Sequence, residues 1–423
     1  MNKYLYGIDF GTSNSALSIF DEAKNEIVET ITIPSILYFP KELDQTDEIT
    51  YTVGKHAIQE YVNDGMQGRF MKSIKRVLPR SSFIDTRVGS HKLTAANLVT
   101  FIIKDLKQKA DTLIGEDCKK AIFGRPVFFD DDDASKDELA HKRLRLAAEK
   151  AGFEQIAFQF EPIGAAFAYE QSIKQKERVL VADLGGGTTD FTFIELNPKR
   201  NEKKDRREDI FATGGIYIGG DSFDAAFMYQ QGTPHFGRGV LYESSPGKML
   251  DLPLSFFTNI CSWEKMNFFN GQKIKNDLGM YFYLSKNNPK FKNLLTLTEH
   301  NLGYSVFQAI EKTKVELSNS LQSTFQYKQL GIEICDRINL ESYNQIIEKD
   351  LNKISQYLDT FLVQHQIKTS DINSLFLTGG TSLVQGVQQL FKQKFPNTPI
   401  NSGDNFISVA KGLAYSGYLF DEL

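Results

Sequence analysis

The residues best suited to chemistry lie in one short loop, Asp183-Leu184-Gly185-Gly186-Gly187-Thr188-Thr189-Asp190. Three successive glycines can turn backbone N–H groups toward an anion, because no Cβ blocks a close approach. The threonine hydroxyls add donors. The two flanking aspartates add carboxylate oxygens, which Mg²⁺ accepts together with several waters. The loop therefore predicts a site for a phosphate chain and its metal ion.

A second stretch of this kind lies about 170 residues earlier, where Asp9 is followed by Gly11, Thr12, Ser13 and Asn14. Each copy has an apolar strand, an aspartate, a Gly/Thr turn and a second strand. One copy alone could be a structural hairpin, but two predict a duplicated lobe whose loops clamp the β- and γ-phosphates of a triphosphate. Neither loop has the spacing GxGxxG or GxxxxGK[ST], which excludes the Rossmann and P-loop motifs.

Composition narrows the class of protein. The 423 residues are 41% hydrophobic and 24% charged, as in an ordinary globular protein. The net charge of -4 argues against a nucleic-acid binder, which would be basic. No run approaches the ~20 apolar residues of a membrane span, and no signal peptide is expected. Cys118, Cys261 and Cys335 are far apart, which predicts reduced, buried or half-buried thiols and no zinc site.

Charged runs have structural explanations. The acidic run 130–133 precedes a predicted helix, Ala134–Ala151, and suits its N-terminus; a metal site is the alternative. The mixed-charge segment Pro198–Asp209 is predicted to be a turn, since its acids neutralise its bases and disfavour nucleic-acid contact. The terminal residues 421–423 lack the lysine of a retention signal and are interpreted as chance.

Regular elements are predicted around the loops. The aromatic-rich stretch Met228–Leu302 predicts a helical region of one lobe, which either packs as core or binds a partner. Helical or strand patterns predict the following further elements: helices Leu98–Leu113, Val306–Leu321, Val384–Lys394 and Ser408–Leu419, and a strand at Leu375–Thr378.

These motifs resemble the ATPase domain of the DnaK-type heat-shock chaperones, and more closely its shorter YegD-like members. The matching segments occur in family order over nearly the whole chain: Ile8–Ser15 and Asp183–Asp190 as phosphate motifs, Glu161–Tyr169 and Val409–Ala414 as connecting helices, Ile218–Asp224 beneath the phosphates, and Thr378–Ser382 as the adenosine motif.

The resemblance implies an α/β fold of the actin-like ATPase superfamily. Two ribonuclease H-like lobes, each a mixed sheet flanked by helices, would surround a central cleft that holds ATP or ADP with Mg²⁺. Lobe I would comprise residues 1–180 and 402–423, and lobe II residues 181–401. A helical and aromatic subdomain would lie at about residues 225–320 of lobe II.

The resemblance also implies roles for individual residues. The implied catalytic residues are Lys75, Glu161, Asp183 and Thr188, and the implied metal ligands are Asp9, Asp183 and Asp190. The implied nucleotide-binding residues are Gly11, Thr12, Ser13, Asn14, Gly185, Gly186, Gly187, Thr188, Gly219, Gly220, Asp221, Glu311, Lys314, Ser318, Gly379, Gly380 and Thr381. Lys75 matches the family lysine that reaches the γ-phosphate, and Lys72 is the alternative.

The adenosine end departs from the family pattern. Glu311, Lys314 and Ser318 fall on one face of a predicted helix and resemble residues that bind ribose and adenine. Where the family commonly has two arginines flanking the adenine, this chain has Val315 and Leu383. Apolar contacts would then hold the base, and base preference stays open.

The expected function is Mg-dependent ATP binding with slow hydrolysis that drives lobe closure. A nucleotide-sensing module without significant turnover is the main alternative; a small-molecule kinase or a filament-forming actin-like protein is less favoured. DnaK-type chaperones continue into a peptide-binding domain, which this chain is expected to lack. Its expected partners are a nucleotide and protein clients or co-chaperones, without nucleic acid or membrane. A cytoplasmic monomer is expected.

Overall fold

The computed structural model describes residues 3–41, 49–198, 205–403 and 407–420. Residues 199–204 of the mixed-charge segment and the terminal residues 421–423 therefore lie outside the described residues. The described strands are β1 Tyr4–Phe10, β2 Asn14–Asp21, β3 Glu26–Pro34, β4 Leu37–Phe39, β5 Thr52–Val53, β6 Arg69–Met71, β7 Thr86–Val88, β8 His91–Leu93, β9 Lys120–Arg125, β10 Gln155–Phe160, β11 Glu177–Leu184, β12 Thr189–Leu196, β13 Ile210–Ile216, β14 Leu241–Ser245, β15 Lys248–Asp251, β16 Gln322–Gln329, β17 Ile332–Asn339, β18 Ser374–Thr378 and β19 Ile400–Ser402.

Helices connect these strands and cover the sheets. The described α-helices are α1 Gly54–Asn63, α2 Ala95–Ile114, α3 Ala134–Lys150, α4 Glu161–Glu170, α5 Gly220–Phe227, α6 Leu254–Ile260, α7 Gln272–Leu284, α8 Pro289–Glu299, α9 Gly303–Asn319, α10 Leu340–Gln364, α11 Gln385–Lys394 and α12 Ser408–Tyr415. No described helix is long and apolar enough to cross a membrane.

Two five-stranded sheets have the same topology. The first has the order β10-β9-β1-β2-β3 and the second β19-β18-β11-β12-β13. In the first sheet, β1 and β2 form an antiparallel hairpin with a glycine loop, and β9 pairs with β1 in parallel. In the second sheet, β11 and β12 form the corresponding hairpin, and β18 pairs with β11 in parallel. The duplication inferred from the two loops is therefore confirmed at the level of the sheets. Separate apolar cores lie under the two sheets.

Helices α4 and α12 cross between the two sheets. A third apolar cluster there includes Leu5 of β1, Val181 of β11 and Leu413 of α12. The crossing is so close that a Cβ at Gly412 would lie 1.6 Å from the carbonyl oxygen of Gly164. The small residue Gly412 therefore allows the last helix to pack closely against α4.

Most predicted helices occur with shifts of a few residues at their ends. Asp133 caps α3, its side chain accepting a hydrogen bond from the Ser135 N–H at 3.0 Å, which confirms the helix-start interpretation of the acidic run. Helix α9 begins at Gly303, before the predicted start at Val306. The last helix ends at Tyr415 and continues as a 3₁₀ turn over Ser416–Leu419.

The region 225–320 holds helices α6 to α9 and also a hairpin, β14–β15, whose second strand is exposed throughout. Its aromatic side chains are in part core, such as Phe256 and Phe291. Two of the cysteines, Cys118 and Cys261, are buried, whereas Cys335 is exposed. The boundaries of the lobes stay a prediction.

Candidate functional site

The two glycine loops lie directly opposite each other. A Cβ at Gly186 would be 2.7 Å from the Ser13 hydroxyl oxygen, and one at Gly187 would be 2.9 Å from the Thr12 hydroxyl oxygen. Each loop turns between the strands of a sheet-centred hairpin, β1–β2 or β11–β12. The glycines are needed because any side chain there would fill the narrow space between the loops.

A cleft of about 170 Å³ opens beside these loops. It is lined by most of the predicted site residues: Asp9, Gly11, Thr12, Ser13, Asn14, Lys75, Glu161, Asp183, Gly185, Gly186, Gly187, Thr188, Gly220, Asp221, Glu311, Lys314, Gly379, Gly380 and Thr381. Three predicted residues are not among its lining: Asp190, Gly219 and Ser318.

Lys75 and Glu161 meet at the buried end of the cleft. The Lys75 ammonium donates a hydrogen bond of 2.5 Å to Glu161 Oε1, and both residues are buried. Glu161 begins α4, where the helix dipole favours a carboxylate. Lys75 lies on a 3₁₀ turn, Ile74–Val77, that follows β6. A cation and an anion from distant parts of the chain thus meet at the loops.

Three aspartates surround this ion pair. Burial and the nearby Glu161 raise the pKa of Asp183 to about 8 and that of Asp190 to about 7. Desolvation and the neighbouring Glu161 also raise the pKa of Asp9 well above its ordinary value. Mutual repulsion of carboxylates in a desolvated place has this effect. The cleft would bind a cation readily, because a cation relieves that repulsion.

Asp190 lies behind the residues that line the cleft. It pairs directly with Asp183 across the β11–β12 ladder, so the two aspartates of the second loop face each other. One carboxylate oxygen accepts a hydrogen bond from the Val127 N–H at 2.9 Å, and the other is buried without a partner among the described residues. Among those residues, no three His, Cys, Asp or Glu side chains are arranged to hold a metal ion. Of the two paired aspartates, only Asp183 lines the cleft.

A third glycine turn supports the second loop from below. The Gly220 and Asp221 N–H groups donate to the carbonyl oxygens of Gly185 and Gly186 at 3.1 and 2.8 Å. Gly219 has no room for a side chain, since a Cβ would lie 2.7 Å from the Gly185 carbonyl oxygen. The Thr381 hydroxyl donates to the same oxygen at 2.8 Å. Gly219 therefore shapes the loop without reaching the cleft.

At the other end of the cleft, α9 presents charged side chains. Lys314 donates to Asp224 at 2.8 Å, and Lys72 approaches Glu311 at 3.5 Å. Ser318 lies further along α9, and its hydroxyl donates to the Lys314 carbonyl oxygen at 3.1 Å. Ser318 is thus on the predicted helix but turned to its own backbone.

The two positions that depart from the family pattern are on the surface. Val315 is 56% exposed and Leu383 is 41% exposed. The Gln385 side chain donates to the carbonyl oxygens of Leu317 and Ser318, which joins the end of α9 to the segment that follows Leu383. Neither Val315 nor Leu383 is among the residues that line the cleft.

Two residues that line the cleft, Asp224 and Val409, were not predicted as site residues from the sequence. A third, Lys72, was predicted only as the alternative to Lys75. Asp224 could have been found, because it follows Asp221 by three residues and so shares its face of α5. Lys72 and Lys75 both line the cleft, but Lys75 pairs with Glu161 and Lys72 approaches Glu311. Their spacing in the sequence does not reveal which lysine pairs with which carboxylate.

Comparison with known proteins identifies the relatives of this fold. A family model described as "Hsp70 protein" matches residues 5–231 and 277–421. Proteins named "Chaperone protein DnaK" from Thermosipho africanus and Mycoplasmopsis agalactiae are 26% and 24% identical over 97% and 98% of this chain. The chain spans 58% of the length of each. The two-lobed, actin-like α/β fold expected from the sequence is that of this family. The chain belongs to the Hsp70 family.

Proposed function

We propose that this chain binds ATP and ADP with Mg²⁺ in the cleft and hydrolyses ATP slowly. The observation that carries the proposal is the facing pair of glycine loops, with Lys75 and Glu161 buried beside them. Backbone N–H groups from both lobes can converge on one phosphate chain there. The relatives named DnaK support a chaperone-like family of nucleotide-binding proteins, but not the details of the mechanism.

Each group in the cleft has a proposed task. Gly11, Thr12 and Ser13 would hold phosphate oxygens from one side, and Gly185 to Thr188 would hold them from the other. Lys75 would neutralise charge that develops on the γ-phosphate. For this, the Lys75–Glu161 pair must open toward the nucleotide.

Mg²⁺ fits the donor set of the cleft. Asp9 and Asp183 line it, and Mg²⁺ commonly takes one or two carboxylates and keeps several waters. Asp190 would act through water, since it lies behind the lining. When bound, the metal would neutralise phosphate charge.

Hydrolysis would be an in-line attack of water on the γ-phosphorus. Glu161 and Thr188 would orient that water, its oxygen would bond to phosphorus, and the bond to the β–γ bridging oxygen would break to leave ADP and phosphate. Positioning and charge are the main sources of catalysis in such a step. A slow rate is expected, because the Lys75–Glu161 ion pair must open before either group can act on the nucleotide or the water.

The output would be a change in lobe closure about the α4–α12 crossing. We propose the lobe boundaries given above, with residues 225–320 as a subdomain of lobe II. Protein clients or co-chaperones would sense the closure. These partners, like a cytoplasmic location and a monomeric state, are part of the proposal.

The test is phosphate release from ATP by the Lys75→Ala and Asp183→Ala variants. Both should lose at least about tenfold in rate, a barrier increase of ~1.4 kcal/mol, because each removes a charge from the reaction centre. Lys174→Ala, a change at an exposed lysine away from the cleft, is the matched control and should keep the wild-type rate. Unchanged phosphate release in both cleft variants would refute the mechanism.

Nucleotide sensing without significant turnover is the second candidate. The exposed Val315 and Leu383 favour it, because apolar contacts would hold the base loosely. Calorimetry with ATP, ADP and other nucleoside triphosphates, followed by turnover on the same sample, separates the two candidates. Binding with no release of phosphate above the Asp183→Ala variant would favour sensing.

A further inference from the structure

A second chamber lies between the lobes, next to the nucleotide cleft. Its cavity volume is about 280 Å³, which exceeds that of the cleft itself. One wall is the segment from Gly68 to Phe83, which contains β6 and the Lys75 turn. The opposite wall comes from the other half of the chain, through residues such as Thr298 and Asn301. Lys72 lines both the chamber and the cleft.

The lining of the chamber is cationic. Arg69, Lys72 and Arg80 contribute to it, and no aspartate or glutamate does among the described residues. The Nε atom of Arg69 is buried and has no hydrogen-bond partner in the described part of the chain. Burial lowers the pKa of this arginine, since its charge is desolvated without compensation. A buried guanidinium N–H without an acceptor is costly, and an anion would relieve that cost.

The rest of the lining is apolar and aromatic. Tyr61, Phe70 and Phe83 contribute rings, and Met71 and Met266 contribute flexible thioethers. Tyr61 and Phe70 are stacked with their ring centroids 4.5 Å apart. Ligand pockets commonly combine such an apolar wall with a few polar groups that fix orientation. A free inorganic anion would leave the aromatic surface unused.

We propose that this chamber binds a compact organic anion, a carboxylate, sulfonate or phosphate carried on an apolar, ring-sized body. The anionic group would accept from Arg69 and Lys72, and the body would lie against the aromatic wall. This site is separate from the nucleotide site and does not depend on hydrolysis.

Lys72 would link the chamber to the cleft. It approaches Glu311 at 3.5 Å, which is long for an ion pair, so an anion in the chamber can compete for it. Glu311 lines the cleft, and freeing it changes the charge offered to a nucleotide. Because coupling between two binding sites is reciprocal, a nucleotide would change the affinity for the anion by the same factor.

The test uses the fluorescent anion 8-anilinonaphthalene-1-sulfonate with the full chain. The wild type should bind one equivalent, and Arg69→Gln should weaken binding roughly tenfold or more, as expected for loss of a charged hydrogen bond. Arg87→Gln is the matched control, because Arg87 neighbours Arg69 in an adjacent depression but does not line the chamber. It should bind the probe as the wild type does. Thr298→Phe, which fills the chamber from the opposite lobe, should also abolish binding while the variant still melts cooperatively.

Three outcomes would overturn the proposal. The first is equal affinity of the wild type and Arg69→Gln. The second is equal affinity for N-phenyl-1-naphthylamine, which has the same rings without the sulfonate, since binding would then be purely apolar. The third is complete, competitive displacement by Mg·ADP, which would put the probe in the cleft. Nucleotide binding by Arg69→Gln is measured separately, without the probe. Because Arg69 does not line the cleft, this measurement tests the proposed function independently of the chamber.

Discussion

Four carboxylates and one ammonium group lie at the inner end of the cleft or directly behind it. Asp183, Asp190, Glu161 and Lys75 are buried, and Asp9 is half-buried. One lysine cannot neutralise four carboxylates, so some of them hold protons near neutral pH, as the raised pKa values of Asp183 and Asp190 indicate. A metal–nucleotide complex would therefore bind with release of protons.

The raised pKa of Asp183 predicts a pH dependence of stability. Its pKa is about 8 in the folded chain, against an ordinary value of 3.8. As pH rises from about 4 to 8, the unfolded chain loses this proton first, so the free energy of unfolding should fall. Urea unfolding without magnesium at pH 5 and pH 8 measures the fall. It should be smaller in Asp183→Asn, and identical falls in both proteins would contradict the assignment.

At the scale of elements, the α4–α12 crossing connects the two sheets. Gly164 and Gly412 bring the helix backbones together, and a Cβ at Gly7 would lie 2.2 Å from the Ala410 carbonyl oxygen. Three glycines thus let α12 lie on both α4 and β1. The proposed hinge at this crossing would consist of two rigid helices, because their backbones are in direct contact.

Gly412→Ala should disrupt this crossing. The added methyl would meet the Gly164 carbonyl oxygen, so we expect a destabilisation of at least about 1–3 kcal/mol, typical of overpacking. Gly279→Ala is the matched control, since Gly279 is also helical and its Cβ would meet nothing within 4 Å. That control should gain about 0.5–1 kcal/mol from helix propensity. Urea unfolding measures both, and equal stability of the two variants would contradict the packing argument.

At the scale of the whole molecule, aromatic contacts join the two proposed lobes. The ring centroids of Tyr304, at the start of α9, and Phe70 of β6 are 4.3 Å apart. The Tyr61 hydroxyl donates to the Asn301 carbonyl oxygen at 3.0 Å. These contacts come from parts of the chain more than 200 residues apart. In the proposed function these contacts would break when the lobes open, and they would then add to the barrier for release of a nucleotide.

Tyr304→Ala should therefore speed nucleotide release. Loss of an aromatic pair worth about 0.5–1.5 kcal/mol predicts a rate roughly two- to tenfold higher. Stopped-flow dissociation of a fluorescent ADP analogue measures it. Tyr283→Ala, at a residue 76% exposed, is the control and should release the analogue at the wild-type rate. Equal rates in all three proteins would mean that opening does not break this cluster.

Much of the fold and of the site could be predicted from local sequence. The glycine loops, the strands around them and the capped start of α3 are determined by residues a few positions apart. The hairpin β14–β15 was not anticipated, because its second strand is exposed on both faces and has no alternating pattern. The orientation of Ser318 was also missed, since helical spacing does not say which way a hydroxyl turns.

The sequence by itself determined that two Asp-headed glycine loops exist and that they occur in duplicated hairpins. The tertiary structure alone decided that Gly186 faces Ser13, that Lys75 pairs with Glu161 while Lys72 approaches Glu311, and that Asp190 lies behind the cleft. It alone also opened the chamber beside Arg69. The physical reason is distance along the chain: turns and caps depend on neighbouring residues, whereas ion pairs and cavities depend on how remote segments pack.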